Sequence, residues 1–185
     1  GLGDVYKRQA QIHKMGTIVV HGDVGQCYGY GAKGGRLFVQ GNAAGRPMIN
    51  SVGTPKLVIN GTALDYLAES FMAGDPLEGG GFVIINGIEF DSSGQITDLE
   101  TPYPGGNLFS LSSGGAIYVR DPHRILSSSQ LNGGEFVDLT DEDWVYFTIA
   151  LLLHDIGYVR NILRQDSENT QIVSSDGLKH KLSLG

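Results

Sequence analysis

The heptapeptide GRLFVQG, Gly35–Gly41, places a short apolar run between two glycines. Its Leu, Phe and Val favour extended backbone, and glycine at each end favours a tight turn. The pattern recurs in four further segments: GTIVVHG (Gly16–Gly22), PKLVING (Pro55–Gly61), GFVIING (Gly81–Gly87) and GAIYVRD (Gly115–Asp121). We therefore interpret the five runs as equivalent short strands of an internal repeat.

The spacing of the runs restricts the fold class. Successive runs begin at residues 16, 35, 55, 81 and 115, so the steps are 19, 20, 26 and 34 residues. The first two steps leave no room for a crossover helix, which argues against a βαβ array. A sandwich of hairpins is one alternative, but the constant phase of glycine and strand favours an all-β solenoid, a parallel β-helix whose longer steps carry inserts.

The glycines have two competing interpretations. The chain has 28 glycines, about twice the usual share of ~7%, and GYGAKGG (Gly29–Gly35) matches the Gly-x-Gly-x-x-Gly spacing of a dinucleotide-binding loop. That loop must open a helix, whereas here a predicted strand follows, and Asn50 and Ser51 lie where an acidic residue is expected. We therefore predict structural corners at Gly29, Gly31, Gly34, Gly35, Gly41, Gly61, Gly87, Gly114 and Gly115.

The chain is predicted to have three parts. Residues 1–14 are interpreted as a non-native or disordered leader, residues 15–121 as the glycine-rich β-helix, and residues 122–185 as a helical tail. In the tail, Thr140 is a plausible N-cap for an apolar helix that runs to about Leu153. Two roles are open for this helix: covering the end of the β-helix, or docking on a partner.

Composition excludes several classes of function. The net charge of −7 argues against general nucleic-acid binding. No apolar run approaches the ~18 residues of a membrane span, so neither a nucleic acid nor a membrane is expected as a partner. The single cysteine, Cys27, excludes an intrachain disulfide and an all-cysteine iron–sulfur cluster within this sequence. These features together predict a cytoplasmic location.

No catalytic, metal-binding or cofactor-binding residue is predicted. His154 and Asp155 suggest a metal-dependent phosphohydrolase, but further ligands at a defined spacing are missing from the sequence. Cys27 is expected to be a buried thiol because no base can be assigned to it. Arg46 and Asn50 follow a predicted strand, and they are interpreted either as turn residues or as residues that face a partner domain or an internal conduit.

Four stretches resemble one family in their order: YGYGAKGGRLFVQGNAAGRPMINS (28–51), AESFMAGDPLEGGG (68–81), GGNLFSLSSGGAIYVRDP (105–122) and QLNGGEFVDLTDEDW (130–144). Together they are similar to the C-terminal GXGXG domain of the glutamate synthase large (alpha) subunit, and most similar to the type in which that domain is a separate subunit. The resemblance spans roughly residues 15–155. It fades after Asp155, and the insert after Gly74 departs from it.

The resemblance implies a right-handed parallel β-helix, to which the sequence adds the predicted C-terminal α-helical tail. It also implies a non-catalytic role in glutamate biosynthesis: bracing a glutamine amidotransferase part and a synthase part that carries FMN and an iron–sulfur cluster. The chain itself would then hold no cofactor. Two alternatives stay open, namely the C-subunit-like scaffold of a formylmethanofuran dehydrogenase-type complex, and a self-sufficient ligand-binding β-helix that uses residues such as His21, Asp23 and Arg46.

Overall fold

The computed structural model describes residues 9–140, 171–173 and 179–181. The five predicted apolar runs all form strands, and each pairs in parallel with the next one along the chain. The bounds of these strands are β1 Thr17–Val20, β2 Arg36–Val39, β3 Lys56–Ile59, β4 Phe82–Ile85 and β7 Ala116–Val119.

The parallel sheet keeps one register across all five strands. The first residues of the strands are aligned, and so are the second, third and fourth residues, for example Leu37 with Leu57 and Leu57 with Val83. Because side chains alternate between the two faces of a strand, one face of the sheet collects equivalent apolar residues from each repeat. Leu37, Leu57 and Val83 are completely buried on that face.

Two antiparallel pairs complete the secondary structure of the described residues. β5 (Ile88–Phe90) and β6 (Ile96–Asp98) lie in the insert between β4 and β7, and β8 (Gln171–Val173) pairs with β9 (Lys179–Lys181). Short 3-10 helices occupy Pro76–Glu78 and Ser128–Gln130. The chain divides into two compact units, residues 1–136 and 137–185. The predicted boundaries at residues 14 and 121 stay predictions.

The predicted fold class is wrong. The described residues form one five-stranded parallel sheet and small antiparallel pairs, and they form no closed solenoid, so the fold is not the expected right-handed parallel β-helix. Between strands, the chain contributes only isolated parallel bridges, such as Val24 to Ala43 and Val52 to Met72. The predicted helices between Thr140 and residue 170 lie outside the described residues.

Backbone conformation explains why the segments that connect one parallel strand to the next, here called the returning segments, form no second sheet. Positive φ angles recur at every second residue, as at Arg46, Met48 and Asn50, which have φ of 61°, 60° and 56°. The same alternation occurs at Tyr66, Ala68 and Ser70, and at Asn107, Phe109 and Leu111. An extended strand requires negative φ at each residue, so a segment with this alternation cannot continue a β-ladder.

The returning segments nevertheless satisfy their backbone groups through neighbouring repeats. The Arg46 amide donates to the Asp65 carbonyl (2.8 Å), and the Met48 amide donates to the Tyr28 carbonyl (2.7 Å). Met48, Leu67, Ala68 and Phe71 are completely buried beside the inner face of the sheet. The core of the first unit is therefore enclosed by the sheet and by these irregular segments together.

Two buried tyrosines differ in how their hydroxyl groups are satisfied. Both are at most 1% exposed, and burial raises the pKa of Tyr28 and of Tyr103 to about 12. The Tyr103 hydroxyl donates to the Gly106 carbonyl at 2.8 Å. The Tyr28 hydroxyl has no hydrogen-bond partner among the described residues.

We expect Tyr28→Phe to raise the free energy of unfolding by up to about 1 kcal/mol, because the substitution removes a buried hydroxyl that lacks a partner. Tyr103→Phe is the matched control and should lower it by about 1 kcal/mol, because it deletes a formed hydrogen bond. Urea denaturation followed by circular dichroism measures both. Equal losses of stability in the two variants would contradict the assignment of the Tyr28 hydroxyl.

Candidate functional site

The outer face of the sheet carries three rows of aligned side chains. The first row begins the strands and contains Thr17, Arg36 and Lys56, the second is apolar with Val19, Phe38 and Val58, and the third follows the strands with His21, Gln40 and Asn60. Val19 is 55% exposed, whereas Ile84, which continues the apolar row on β4, is 4% exposed. The apolar row is therefore open to solvent at the β1 side.

A groove of about 300 Å³ follows these rows. Its floor is the apolar row with the polar row beside it, and Phe90 of β5 supplies a further apolar side chain. The lining residues are Val19, His21, Phe38, Val39, Gln40, Val58, Asn60 and Phe90. An apolar recess of this size with a few hydrogen-bonding groups along it can accommodate a small molecule or a peptide side chain.

The polar row of the groove is partly paired within itself. The His21 Nδ1 lies 3.3 Å from the Gln40 Oε1, and the Asn86 Nδ2 donates to the Asn60 Oδ1 at 2.9 Å. These contacts fix the amide oxygens of Gln40 and Asn60 toward neighbouring side chains. The arrangement can offer hydrogen bonds to a ligand, but it holds no nucleophile paired with a base.

The first row carries positive charge. Arg36 and Lys56 are aligned neighbours on β2 and β3, and the Lys56 ammonium lies 5.6 Å from the centre of the Phe82 ring. Burial lowers the pKa of Lys56, and the nearby Arg36 charge lowers it further. In a chain with a net charge of −7, this edge of the outer face is a local cationic region.

An ion pair attaches the β5–β6 insert to the sheet. The Arg120 Nη1, one residue after β7, donates to the Asp98 Oδ1 at the end of β6 at 2.7 Å. This hydrogen bond and the Arg120 charge hold the pKa of Asp98 below its ordinary value of 3.8. Because the pKa is depressed on folding, the ion pair stabilises the fold above that ordinary value and is lost as the pH falls through the folded-state pKa.

We expect Arg120→Gln to raise the pKa of Asp98 back toward 3.8, because the substitution removes its hydrogen-bonded cation. Asp91 is the internal control, since its pKa is lowered by the Ser93 hydroxyl and by the Gln95 and Ser93 amides rather than by Arg120. A carboxyl-detected NMR titration follows both residues in one sample. A parallel shift at Asp91, or none at Asp98, would contradict the assigned partners.

A second set of polar contacts between repeats, here called the polar ladder, lies at the turns that follow the strands. The Asp23 Oδ1 accepts a hydrogen bond from the Asn42 amide (2.7 Å), and the Asn42 Oδ1 accepts one from the Thr62 amide (2.9 Å). The sequence suggests that such residues bond their own turn, whereas these side chains bond the next repeat. Gly41 and Gly61 make the approach feasible, because a Cβ on either would collide with the Asp23 or the Asn42 Oδ1.

The predicted glycine corners lie where neighbouring segments approach one another. A Cβ on Gly34 would lie 2.6 Å from the Lys14 carbonyl oxygen, and one on Gly114 would lie 2.9 Å from the Gly74 nitrogen. Positive φ angles occur at Gly29, Gly31, Gly35, Gly87 and Gly115. Within GYGAKGG, the space beside Gly29 holds the Met48 side chain and that beside Gly35 holds His13, so atoms of this chain fill the loop.

Arg46 and Asn50, the predicted interface residues, are both exposed and both contact Glu69. The Arg46 Nη1 lies 3.4 Å from the Glu69 Oε2, and its guanidinium lies 4.6 Å from the centre of the Tyr66 ring. The backbone N–H of Asn50 donates to the backbone carbonyl of Glu69 at 2.9 Å. They therefore belong to one surface, which is separate from the residues that line the groove.

The other candidates for chemistry do not assemble into a reactive site. Within the described part of the chain, no group of three or more His, Cys, Asp or Glu residues is placed to hold a metal ion. Cys27 is half-buried, with a φ of 58°. His154 and Asp155 lie outside the described residues. No helix of the described residues is long and apolar enough to cross a membrane.

A family model described as Npun_R2479-like matches residues 123–184, which is 62 of the 185 residues and lies beyond β7. No curated protein and no solved structure matches the chain.

Proposed function

We propose that this chain is a non-catalytic structural domain or subunit of a cytoplasmic glutamate synthase-like oxidoreductase. In that role it braces a glutamine amidotransferase part against a synthase part, and FMN and an iron–sulfur cluster are carried by the synthase part. The proposal rests on the order of motifs that resembles the GXGXG domain.

The observation that best supports a structural role is that atoms of this chain fill the glycine-rich loop Gly29–Gly35. A phosphate-binding loop leaves its backbone amides open to a ligand. In Gly29–Gly35 the Gly29 amide donates to the Gln9 carbonyl (2.8 Å), and the Gly31 amide donates to the Ile49 carbonyl (2.9 Å). These amides already have protein acceptors, which supports glycines used for packing between neighbouring segments rather than for binding a nucleotide.

A partner would need a surface, and Arg46 offers one. Its side chain is half-exposed (48%), and its guanidinium contacts Glu69 and Tyr66, so the side chain is oriented before a partner arrives. Arginine and tyrosine are enriched where protein interfaces have their strongest contacts. The Arg46 surface is therefore the site at which we expect a substitution to weaken assembly.

The test is co-purification. A tagged chain is co-expressed with an amidotransferase subunit and a flavin-containing synthase subunit of the stand-alone type. We expect the three to purify together with flavin absorbance and glutamine-dependent glutamate formation, while the chain alone has neither flavin absorbance nor glutaminase activity. Arg46→Ala should reduce recovery of the complex. Arg124→Ala is a matched control, because Arg124 is also an exposed arginine with a positive φ.

Two outcomes would overturn the proposal. One is flavin absorbance or glutaminase activity in the isolated chain. The other is a chain that is folded by circular dichroism and binds neither subunit. Recovery of a formylmethanofuran dehydrogenase-type complex from source cells, in place of the flavin synthase, would assign the scaffold to that second class of oxidoreductase.

The groove favours a second candidate, a small-molecule binding protein. Its apolar floor and the Phe90 side chain suit an aromatic ligand, and Gln40 and Asn60 suit a ligand with hydrogen-bonding edges. Enhanced fluorescence of anilinonaphthalene sulfonate with the isolated chain, lost in Phe90→Ala and kept in Ile96→Ala, would support it. Ile96 is the control because it is 56% exposed on the paired strand and does not line the groove.

A further inference from the structure

Three Asn-Gly pairs occur in the sequence: Asn60–Gly61, Asn86–Gly87 and Asn132–Gly133. Asparagine before glycine is chemically labile, because the glycine amide nitrogen can attack the asparagine Cγ without hindrance from a Cβ. The Cγ–Nδ2 bond breaks, ammonia leaves with the amide proton, and a succinimide forms. Water then opens the ring at either carbonyl carbon, giving aspartate or isoaspartate.

The first two pairs are held within the repeat. The Gly61 amide donates to the Gly41 carbonyl (3.0 Å), and the Gly87 amide donates to the Gly61 carbonyl (3.2 Å). Both glycines are buried. The two asparagine side chains also bond each other, through the Asn86 Nδ2 and the Asn60 Oδ1. Attack at either site therefore requires these hydrogen bonds to open first.

The third pair has a different environment. Asn132 and Gly133 are exposed, and the Gly133 amide donates no hydrogen bond within the described residues. Gly133 and Gly134 have φ of 99° and 82°, and no atom lies within 4 Å of the position that a Cβ would take on either. The nucleophilic nitrogen of Gly133 is thus available and sterically unhindered.

We propose that Asn132 is a site of spontaneous deamidation, and that its conversion to aspartate or isoaspartate weakens the attachment of residues 131–132 to residues 107–110. The Asn132 Nδ2 donates to the Asn107 Oδ1 (3.2 Å) and to the Ser110 Oγ (3.1 Å). Deamidation removes both N–H donors and places a carboxylate beside the Asn107 oxygen. The isoaspartate product also lengthens the backbone by one carbon where the Asn132 amide bonds the Leu108 carbonyl.

The experiment incubates the folded full-length chain at mildly alkaline pH and follows the three sites by peptide mass mapping. We expect Asn132 to react at least about tenfold faster than Asn60 and Asn86, because only at the latter two sites is the attacking glycine amide buried and hydrogen-bonded. Gly133→Ala should slow the reaction at Asn132 by about tenfold or more, because it places a Cβ beside the nucleophile at a φ that alanine rarely adopts. In the urea-unfolded chain the three sites should react at similar rates.

Each result is decisive. Reaction at Asn60 or Asn86 as fast as at Asn132 in the folded chain would overturn the proposal, and so would an Asn132 rate that Gly133→Ala leaves unchanged. For the structural consequence, amide hydrogen exchange compares fresh and reacted protein. Exchange at residues 107–110 should be at least about fivefold faster after reaction. Unchanged exchange there would refute the predicted loss of attachment.

Discussion

Gly115→Ala is expected to destabilise the first unit by at least about 2 kcal/mol, since two costs add: a left-handed backbone with a Cβ costs about 1 kcal/mol or more, and overpacking of a core costs about 1–3 kcal/mol. Gly115 has a φ of 83°, and a Cβ there would collide with the Phe71 ring and lie 3.1 Å from the Gly81 carbonyl oxygen. The Phe71 ring is completely buried and packs on Phe109. Displacement of the ring would therefore disturb its packing in the core.

Gly94→Ala separates the two costs. Gly94 has a nearly equal φ of 81°, but nothing lies within 4 Å of the position of its Cβ. We expect a loss of about 1 kcal/mol, from backbone strain alone. Urea denaturation of both variants gives the difference, which reports the collision with Phe71. Equal losses in the two variants would show that the packing around Gly115 is looser than described.

Leu57→Ala is expected to lower the free energy of unfolding by about 3 kcal/mol, because the substitution leaves a cavity in a packed core. Leu57 is completely buried, and it lies in register between Leu37 and Val83, which are completely buried as well. The two neighbours belong to strands fixed by backbone hydrogen bonds on both sides. They can move little to fill the space that the removed side chain leaves.

Val58→Ala is the control in the same strand. Val58 points to the outer face, where it is half-buried and lines the groove. Its loss should cost less than about 1 kcal/mol, because no closed cavity forms. Denaturation curves for the two variants test the facing of the whole strand. A larger loss from Val58→Ala than from Leu57→Ala would mean that β3 faces the other way.

The strands were predictable because the residue types within each repeat mark where its strand begins and ends. Leu, Ile, Val and Phe cluster over four or five residues, and turn residues flank each run. The constant distance from glycine to strand also indicated the parallel alignment that places Leu37 beside Leu57. The position of each strand depends on residues close to it in the sequence, so it can be predicted without knowing how the rest of the chain folds.

The path between the strands could not be predicted in the same way. Arg46, Met48 and Asn50 adopt positive φ, although arginine and methionine have no intrinsic preference for it. Hydrogen bonds to the neighbouring repeats hold them there, as for the Arg46 amide with the Asp65 carbonyl. The sequence predicted a continuous solenoid because its glycines marked only some of the left-handed positions.

The groove was missed for a related reason. Its rows exist only once the register aligns Val19 with Phe38 and Val58, residues that are 19 and 20 positions apart. Phe90 belongs to the insert between β4 and β7, and the repeat pattern assigns that insert no role beyond lengthening one repeat. The sequence of this insert does indicate a hairpin, since IEFDSSGQITD alternates apolar and polar residues on each side of an Asp-Ser-Ser-Gly turn. Gly94 in that turn has a positive φ of 81°. The ion pair between Arg120 and Asp98 has no such local signal.

The unequal steps between the five parallel strands carry a practical consequence. Steps of 20, 26 and 34 residues all return the chain to the same alignment, so the sheet tolerates added length between its strands. The turn from Asp91 to Gln95 is exposed throughout and is the natural place to graft foreign sequence, such as an epitope or a reporter peptide. A single residue inserted inside a strand would instead shift the later side chains of that strand to the opposite face.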